Sequence, residues 1–312
     1  MDEKDKRLLY ELMQDSRISL TQLAKKIQVS REVATYRLNK LKKEGVILGF
    51  VTELNLHKLG FIGAAVFVNV KATQQGAFKA FLQRLPFVSW VAELSGVWNF
   101  GFSLIGKTNH ELDEKFSYIY TTFKQDILDH RFTLHRKSLF FYEKYFNKTA
   151  TPSKKKKYID YTLDKKDKIL LKELARDSRM ESVALAQKVS LTAPAVAQRI
   201  RRLEQGGFIE KYSLFVDITR LGLFQYSIFM VNKSMDEKEK LLSFLRQHSN
   251  VSFIAEYVGD PFFEFGVFVK DPYQLREQLQ AIEEVFPNNR IMEISLFQKE
   301  FVSVGPPSCV FE

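Results

Sequence analysis

The sequence predicts an α+β protein made of two copies of one unit, in which a winged helix-turn-helix is followed by a βαββαβ domain of the ferredoxin-like type. The first observation is an internal repeat: residues 4–12 return at 166–174, and the same offset of 162 positions joins Leu59-Gly60 to Leu221-Gly222. Solenoid repeats are about 20 to 50 residues long, so this period indicates a duplicated unit with several elements. The second observation is that apolar residues within each copy change from helical spacing to strand-like alternation after about 50 positions.

The domain boundaries are predicted where this periodicity changes. A winged helix-turn-helix over residues 1–52 is followed by a βαββαβ domain over 60–147. A basic linker over 148–163 leads to a second winged helix-turn-helix over 164–214 and a second βαββαβ domain over 222–303. Residues 154–157 are four lysines, a charge run that is typical of a solvated linker and that could add phosphate contacts.

Three short helices are predicted at the start of each copy. In copy one the apolar residues recur at helical spacing as Leu8, Leu9 and Leu12, then Leu20, Leu23, Ala24 and Ile27, then Ala34, Leu38 and Leu41. Ser19 and Ser30 stand at N-cap positions and Gly45 ends the third helix, while copy two has Thr192 as the cap and Pro194 in the first turn. A short wing strand should follow each third helix, and the whole arrangement is that of a helix-turn-helix.

Beyond the helices, the elements of each copy are predicted in the order βαββαβ, the split βαβ arrangement. In copy one they cover strand 64–70, helix 75–85, strand 88–95, strand 100–105, helix 109–127 and strand 132–142. In copy two they cover strand 226–231, helix 237–247, strand 251–257, strand 263–269, helix 272–285 and strand 291–301.

The outer face of each third helix carries side chains suited to reading DNA. A helix fits the major groove, where Arg pairs with guanine, Asn or Gln with adenine and Glu with cytosine. Because the apolar stripe points inward, the outer residues of 30–44 and 192–205 are left to face a groove. The candidate DNA-binding residues are Ser30, Arg31, Glu32, Thr35, Tyr36, Arg37, Asn39 and Lys40 in copy one, and Thr192, Gln198, Arg199, Arg201 and Arg202 in copy two.

The two faces predict different roles. In copy one, base reading is expected from Arg31, Glu32, Tyr36 and Asn39, and phosphate contact from cations such as Arg37 and Lys40. Copy two has Ala193, Pro194, Ala197 and Gln198 where copy one has Arg31, Glu32, Thr35 and Tyr36, so weaker direct readout with retained phosphate binding is expected there. A solvated helix face is the alternative interpretation for any one of these charges.

Composition narrows the class of protein. The chain has 312 residues, 45% of them hydrophobic, and a formal charge of +10; the basic excess lies before residue 213 and the remainder is net acidic, as expected for a protein whose basic end meets a polyanion. No apolar run approaches the roughly 20 residues of a membrane span, and Cys309 is the only cysteine, so a reducing cytoplasm is the expected location. The nucleotide motifs GxxxxGK[ST] and GxGxxG are absent, and no cofactor is predicted.

The residues around each wing resemble those of the Lrp/AsnC regulators. The resemblance is carried by Gly45-Val46-Ile47-x-Gly49-Phe50, by Gly206-Gly207-Phe208-Ile209 and by Asp15-Ser16-Arg17, and it extends over nearly the whole chain. It implies a transcription regulator that binds double-stranded DNA, with βαββαβ domains that pair and place two helix-turn-helix units over successive major-groove faces, about 34 to 36 Å apart or a multiple of it. One chain would supply the pair as an internal pseudo-dimer, which predicts an asymmetric DNA site or higher homo-oligomers through like copies.

The resemblance also implies a place for an effector. Family members often bind an amino acid near a Gly-x-x-Asp turn between the second and third strands of the βαββαβ domain, where this chain has Gly96-Val97-Trp98-Asn99 and Gly259-Asp260-Pro261-Phe262. The acid is missing at that spacing, and a buried ammonium group needs a countercharge, so amino-acid sensing is in doubt. The candidate effector-binding residues are Gly96, Trp98, Asn99, Gly259 and Asp260, with a core or interface role as the alternative for Trp98.

Two other functions remain as alternatives to a regulator. An architectural protein that coats DNA with little sequence preference would carry the same charge. An enzyme is not expected, although heme-pathway decarboxylases resemble this build and use histidine and arginine on substrate carboxylates. The nearest candidates are His130-Arg131 and His135-Arg136 on the last strand of copy one, and alternating exposed strand positions explain them more simply.

Overall fold

The structure, a computed structural model, describes residues 1–146, 157–232, 235–259, 263–302 and 307–311. The predicted α+β fold class is confirmed. The chain forms two compact units, and each combines segments from both copies. Met1–Phe61, Pro152–Leu221 and Val304–Glu312 form the helix-turn-helix unit, and Ile62–Thr151 with Gly222–Ser303 form the βαββαβ unit. The described end of the predicted linker belongs to the helix-turn-helix unit, where the Ile159 N–H donates to Gln205 O at 3.0 Å.

The elements follow the predicted order in both copies. Copy one contains α1 (Glu3–Gln14), α2 (Leu20–Ile27), α3 (Arg31–Lys43), β1 (Ile47–Leu54), β2 (Ile62–Val70), α4 (Gln75–Leu82), β3 (Val88–Gly96), β4 (Phe100–Gly106), α5 (Asn109–Thr122) and β5 (Ile127–Phe140). Copy two contains α6 (Lys165–Arg176), α7 (Ser182–Val189), α8 (Ala193–Gln205), β6 (Ile209–Val216), β7 (Phe224–Asn232), α9 (Met235–Gln247), β8 (Val251–Val258), β9 (Phe263–Val269), α10 (Pro272–Val285) and β10 (Asn289–Val302).

The helix caps of the helix-turn-helix unit follow from the sequence. The hydroxyls of Ser19, Ser30 and Thr192 accept hydrogen bonds from backbone N–H groups in the first turns of α2, α3 and α8, as predicted. The turns that separate α2 from α3 and α7 from α8 pass through the left-handed region at Gln28 and Ser190, with φ of 57° and 51°. Both copies therefore share one turn geometry although the residue differs.

The strands after α3 and α8 differ from the short wing strands that the sequence predicts. β1 and β6 are eight residues long and pair with each other antiparallel, with Phe50 opposite Leu214 and Thr52 opposite Tyr212. Each strand therefore finds its partner in the other copy. This two-stranded ribbon joins the two helix-turn-helix segments within their unit.

The βαββαβ segments close into an eight-stranded antiparallel barrel of order β10-β3-β4-β2-β5-β8-β9-β7. Within each copy the four strands take the ferredoxin-like order, and the last strand of each copy pairs with the second strand of the other, β5 with β8 and β10 with β3. The predicted helix 109–127 is too long. α5 ends at Thr122, and β5 begins at Ile127 because the chain there pairs with Val70 of β2.

Apolar side chains fill three layers of this unit. One cluster packs α4 and α5 against the sheet of copy one, and a second packs α9 and α10 against the sheet of copy two. A third cluster fills the barrel between the sheets, where Phe67 and Phe229 meet edge to face with ring centroids 4.9 Å apart. These two residues occupy equivalent positions of β2 and β7. The two copies are therefore related by a pseudo-twofold axis that passes between Phe67 and Phe229.

A charged pair crosses the same interior. Arg131 of β5 donates from Nη1 to Glu293 Oε2 at 2.7 Å and from Nη2 to Glu293 Oε1 at 2.5 Å. The Trp98 indole also donates to Glu293 Oε2 at 2.8 Å, and the Arg131 guanidinium lies 5.4 Å from the Trp98 ring. Arg131 and Glu293 are 162 positions apart and therefore occupy equivalent places in the two copies. The duplicated strand has opposite charges at one position.

A second polar group lies beside this pair. Glu264 of β9 is buried and accepts hydrogen bonds from the hydroxyls of Ser227 and Tyr257. Burial raises the pKa of its carboxyl to about 7, against the opposing effect of the two hydroxyl donors and the Arg131 charge. Gly101 occupies the corresponding position of β4 opposite Phe67, so copy two alone carries this carboxyl.

Candidate nucleic-acid interface

The outer face of α3 presents polar side chains to solvent. Arg31, Glu32 and Asn39 are exposed, and Tyr36 is 68% exposed, a large fraction for an aromatic side chain. They line one shallow groove together with Thr35, whose hydroxyl donates to Arg31 O at 2.8 Å. The inward stripe of Ala34, Leu38 and Leu41 is buried, as predicted. The predicted reading residues thus share one accessible surface.

Glu32 is ionised throughout the neutral range. Hydrogen bonds from its own backbone N–H and from the Ser30 hydroxyl lower the pKa of its carboxyl. A carboxylate at this point can only accept hydrogen bonds, which suits the exocyclic amino group of cytosine. Lys40, predicted to contact phosphate, is also exposed and lies 3.9 Å from Glu44 one turn further along.

Arg37 and Arg199, which the sequence predicts to contact phosphate, form ion pairs within the helix-turn-helix unit. Arg37 Nη1 donates to Asp2 Oδ2 at 2.8 Å and to Asp5 Oδ1 at 2.6 Å, which ties α3 to the start of α1. Arg199 Nη1 repeats the contact in copy two, to Asp164 and Asp167 at 2.7 and 2.8 Å. Charge-assisted bonds to these carboxylates raise the pKa of both guanidinium groups. Each arginine therefore fixes the orientation of its recognition helix.

The corresponding face of α8 is apolar at its N-terminal end. Ala193, Ala195 and the exposed Val183 of α7 line a shallow groove with Leu191 and the N-cap Thr192. Gln198, Arg201 and Arg202 follow along the exposed side of the helix. Arg201 and Arg202, the cations predicted to contact phosphate, are thus exposed, and the N-terminal end of α8 lacks charged side chains.

The two helix-turn-helix segments are held together by a contact in which each copy makes the same hydrogen bonds to the other. Ser16 and Ser178 share a hydrogen bond between their hydroxyls at 2.5 Å. Arg17 Nη1 donates to Ser178 O at 2.5 Å, and Arg179 Nη1 donates to Ser16 O at 2.5 Å. The guanidinium groups lie over the rings of Tyr212 and Phe50, at 5.5 and 5.4 Å. This pseudo-twofold contact joins the segment that carries α3 to the segment that carries α8.

The sequence contained a signal for this contact, since Asp15-Ser16-Arg17 returns as Asp177-Ser178-Arg179. The motif was interpreted as the end of the first helix and as a family position. Its part in joining the copies was missed, because the atoms that meet are about 160 positions apart and a local pattern gives no information on such pairs.

The candidate effector residues of copy one are engaged inside the βαββαβ unit. Trp98 is buried and bonded to Glu293, and the Asn99 side chain bonds to the backbone of Val70 in both directions at 3.0 Å. Gly96 has φ of +137°, and a Cβ atom there would come within 2.5 Å of Ile294 O. Gly259 has φ of +93° with open space around it, and Asp260 lies outside the described residues. A ligand at the Gly96 turn would have to displace protein contacts.

The histidines and arginines considered for decarboxylation are spread over the barrel wall. The His130 ring packs on Phe116 and Tyr120, and Arg131 is paired with Glu293. His135 Nδ1 is buried, and desolvation lowers the pKa of that imidazole to about 4. Among the described residues, no group of three or more His, Cys, Asp or Glu side chains is placed to hold a metal ion, and none of the helices there has the length and apolar character to cross a bilayer.

Comparison with known proteins agrees with the repeat. A model of winged helix-turn-helix DNA-binding domains matches residues 1–47 and 163–210. An uncharacterized HTH-type transcriptional regulator of Pyrococcus abyssi is 30% identical over 148 residues, which cover 46% of this chain and 96% of that protein. The HTH-type transcriptional regulator LrpC of Bacillus subtilis is 33% identical over 97 residues, 31% of this chain and 67% of that protein. One copy of the unit thus matches a whole relative.

Among solved structures, the siroheme decarboxylase NirDL superposes with a TM-score of 0.65, covering 99% of this chain and 96% of that chain at 14% identity. This likeness concerns the fold. The sequence relatives, the matched helix-turn-helix domains and the repeat together identify the family. The chain belongs to the Lrp/AsnC family, whose unit it carries twice.

Proposed function

We propose that this protein is a sequence-specific, DNA-binding transcriptional regulator with α3 as its main reading helix and α8 as a second, weaker one. The observation that carries the proposal is an exposed helix face formed by Arg31, Glu32, Tyr36 and Asn39. The ion pair of Arg37 with Asp5 ties this helix to α1. These side chains offer donors and acceptors suited to base edges in the major groove. The Ser16–Ser178 contact supports binding of both helices to one DNA site, whose halves would differ because the two reading faces differ.

The test is selection of bound fragments from random duplex DNA, followed by binding of the recovered site and of a scrambled control across a salt series. A specificity ratio of about 10³ or more is expected for a regulator. Equal binding of both duplexes with a steep salt dependence would favour the DNA-coating alternative. Absence of DNA binding would contradict the proposal and return attention to a decarboxylase-like enzyme.

Two substitutions on α3 should separate base reading from phosphate contact. Arg31→Ala should reduce the free-energy difference between binding of the recovered site and of random DNA by roughly 1–3 kcal/mol, because it removes a bidentate base contact. Binding to random DNA should be nearly unchanged. Lys40→Ala should weaken recovered and scrambled DNA alike and reduce the salt slope by about 1. Equal losses on both duplexes for both variants would contradict this division of roles.

A further inference from the structure

The N-terminal end of α8 combines an apolar surface with an intact recognition-helix frame. Thr192 caps the helix, Ser190 forms the turn before it and Arg199 clamps it to the start of α6, as their counterparts do in copy one. The side chains at the reading positions, by contrast, have changed from polar to apolar at Ala193, Pro194 and Ala197. A helix that had lost its binding role would have little need for a frame kept in such detail.

The changed side chains form one apolar patch. Ala193, Pro194 and Ala197 replace Arg31, Glu32 and Thr35, and Val183, which replaces Thr21, is 61% exposed on the adjoining helix. Isolated exposed aliphatic residues need no explanation, but Val183 and Ala193 line one shallow groove, and Pro194 is exposed next to Ala193 on α8. The patch therefore replaces one kind of contact surface with another.

Three cations lie on the two helices that carry this patch. Lys188 lies at the end of α7, and Arg201 and Arg202 lie further along α8; all three are exposed. An apolar centre with a basic rim fits a partner that presents methyl groups between two rows of negative charge. The major groove of DNA offers this where thymines occur, since their C5-methyl groups face the groove and the phosphates border it.

We propose that α8 selects a thymine-rich half-site through contacts of Ala193, Pro194 and Ala197 with thymine methyl groups. The inference rests on the proposed function and specifies its second half. The composite DNA site would then consist of one half read by hydrogen bonds to base edges at α3 and one half read by apolar contacts at α8. The rim cations would hold the helix in the groove without selecting sequence.

The test replaces thymines in the recovered site with deoxyuridines, which removes only the C5-methyl group. The Arg31→Ala variant first shows which half of the site α3 reads. Base substitutions in that half should no longer weaken binding of the variant, although they weaken binding of the unmodified protein. In the other half, each contacted thymine replaced by deoxyuridine should weaken binding of the full-length protein about fourfold. In the α3 half, the same replacement should change binding by less than about twofold, because its contacts are to hydrogen-bonding edges.

A graft of the α3 face onto α8 provides the matched variant. Ala193→Arg, Pro194→Glu, Ala197→Thr and Gln198→Tyr together should remove the deoxyuridine effect and make the second half of a newly selected site resemble the first. Unchanged binding of deoxyuridine sites by the unmodified protein would overturn the inference while a recovered specific site still supports the proposed function. Footprints that protect only the α3 half would also overturn it, and failure to recover any site would overturn the proposed function itself.

Discussion

Replacing Arg131 with glutamate should lower the free energy of unfolding of the βαββαβ unit by about 3 kcal/mol, the lower end of the cost of breaking a buried ion pair, because this pair is only partly buried. The pair is bidentate, and the side chains of Arg131 and Glu293 are 25% and 11% exposed. The substitution would also place a third carboxylate near Glu293 and Glu264. Chemical denaturation of the full-length protein, followed by Trp fluorescence, measures the loss.

The control for this change uses the charge swap that the duplication allows. Arg131→Glu combined with Glu293→Arg should recover part of the stability, because the ion pair forms again in the opposite direction while the Trp98 indole loses its acceptor at position 293. Arg136→Glu is the matched exposed variant: its side chain is 62% exposed, lies 3.9 Å from Glu256 and should cost less than about 1 kcal/mol. A double variant no more stable than the two single ones would contradict the pairing.

The same pair explains why the copies associate with each other inside one chain. Because Arg131 and Glu293 hold equivalent positions, pairing of two identical copies would bring arginine against arginine or glutamate against glutamate across the barrel. Like charges at this distance oppose association, and the charge difference therefore favours the unlike pair. Higher homo-oligomers through like copies, which the sequence predicts, would therefore have to form through other surfaces.

The second large effect is expected from Glu264, whose pKa of about 7 in the folded protein lies above the ordinary glutamate value of 4.5. A carboxyl with a raised pKa binds its proton more tightly in the folded state, so its contribution to stability is complete below pH 4.5 and is lost as the pH rises through 7. The difference of pKa corresponds to a loss of about 3 kcal/mol between these limits. Denaturant midpoints measured from pH 4 to pH 8 should therefore fall between about pH 4.5 and pH 7 and level off above pH 7.

Glu264→Gln is the variant that isolates this effect, since the amide has nearly the same shape and does not titrate. Its carbonyl can still accept one hydrogen bond from Ser227 or Tyr257, which both face the site. The variant should lose the pH dependence attributed to Glu264 and exceed the unmodified protein in stability at pH 8. Parallel stability curves for the two proteins across the range would show that Arg131 holds the carboxyl ionised and that burial does not dominate.

The sequence predicted most of the fold, because the repeat and the two periodicities depend on neighbours in the chain. Caps such as Ser30 and Thr192 were predictable for the same reason. The closure of the barrel was not, since β5 pairs with β8 through backbone groups that every strand possesses. The length of α5 was overestimated because residues 123–127 are mixed in character, and the pairing of Ile127 with Val70 decides their conformation.

The position of the candidate site could be predicted from the sequence, but the contacts of its individual cationic side chains could not. Arg31 and Tyr36 could be assigned to the outer face from helical spacing alone. The ion pairs of Arg37 could not be predicted, because its carboxylate partners are 32 and 35 residues away, at the start of another helix. Trp98 had two interpretations until its indole was placed against Glu293, 195 residues further along.

The Ser16–Ser178 contact also fixes how the protein responds to its own concentration and how its target can change. In a regulator made of two chains, dilution separates the reading helices and occupancy depends on a prior association step. Here both helices belong to one molecule, so occupancy should follow the first power of concentration even at low copy number. In a homodimer any substitution in the reading helix alters both half-sites together, whereas α3 and α8 are encoded separately and can diverge one at a time.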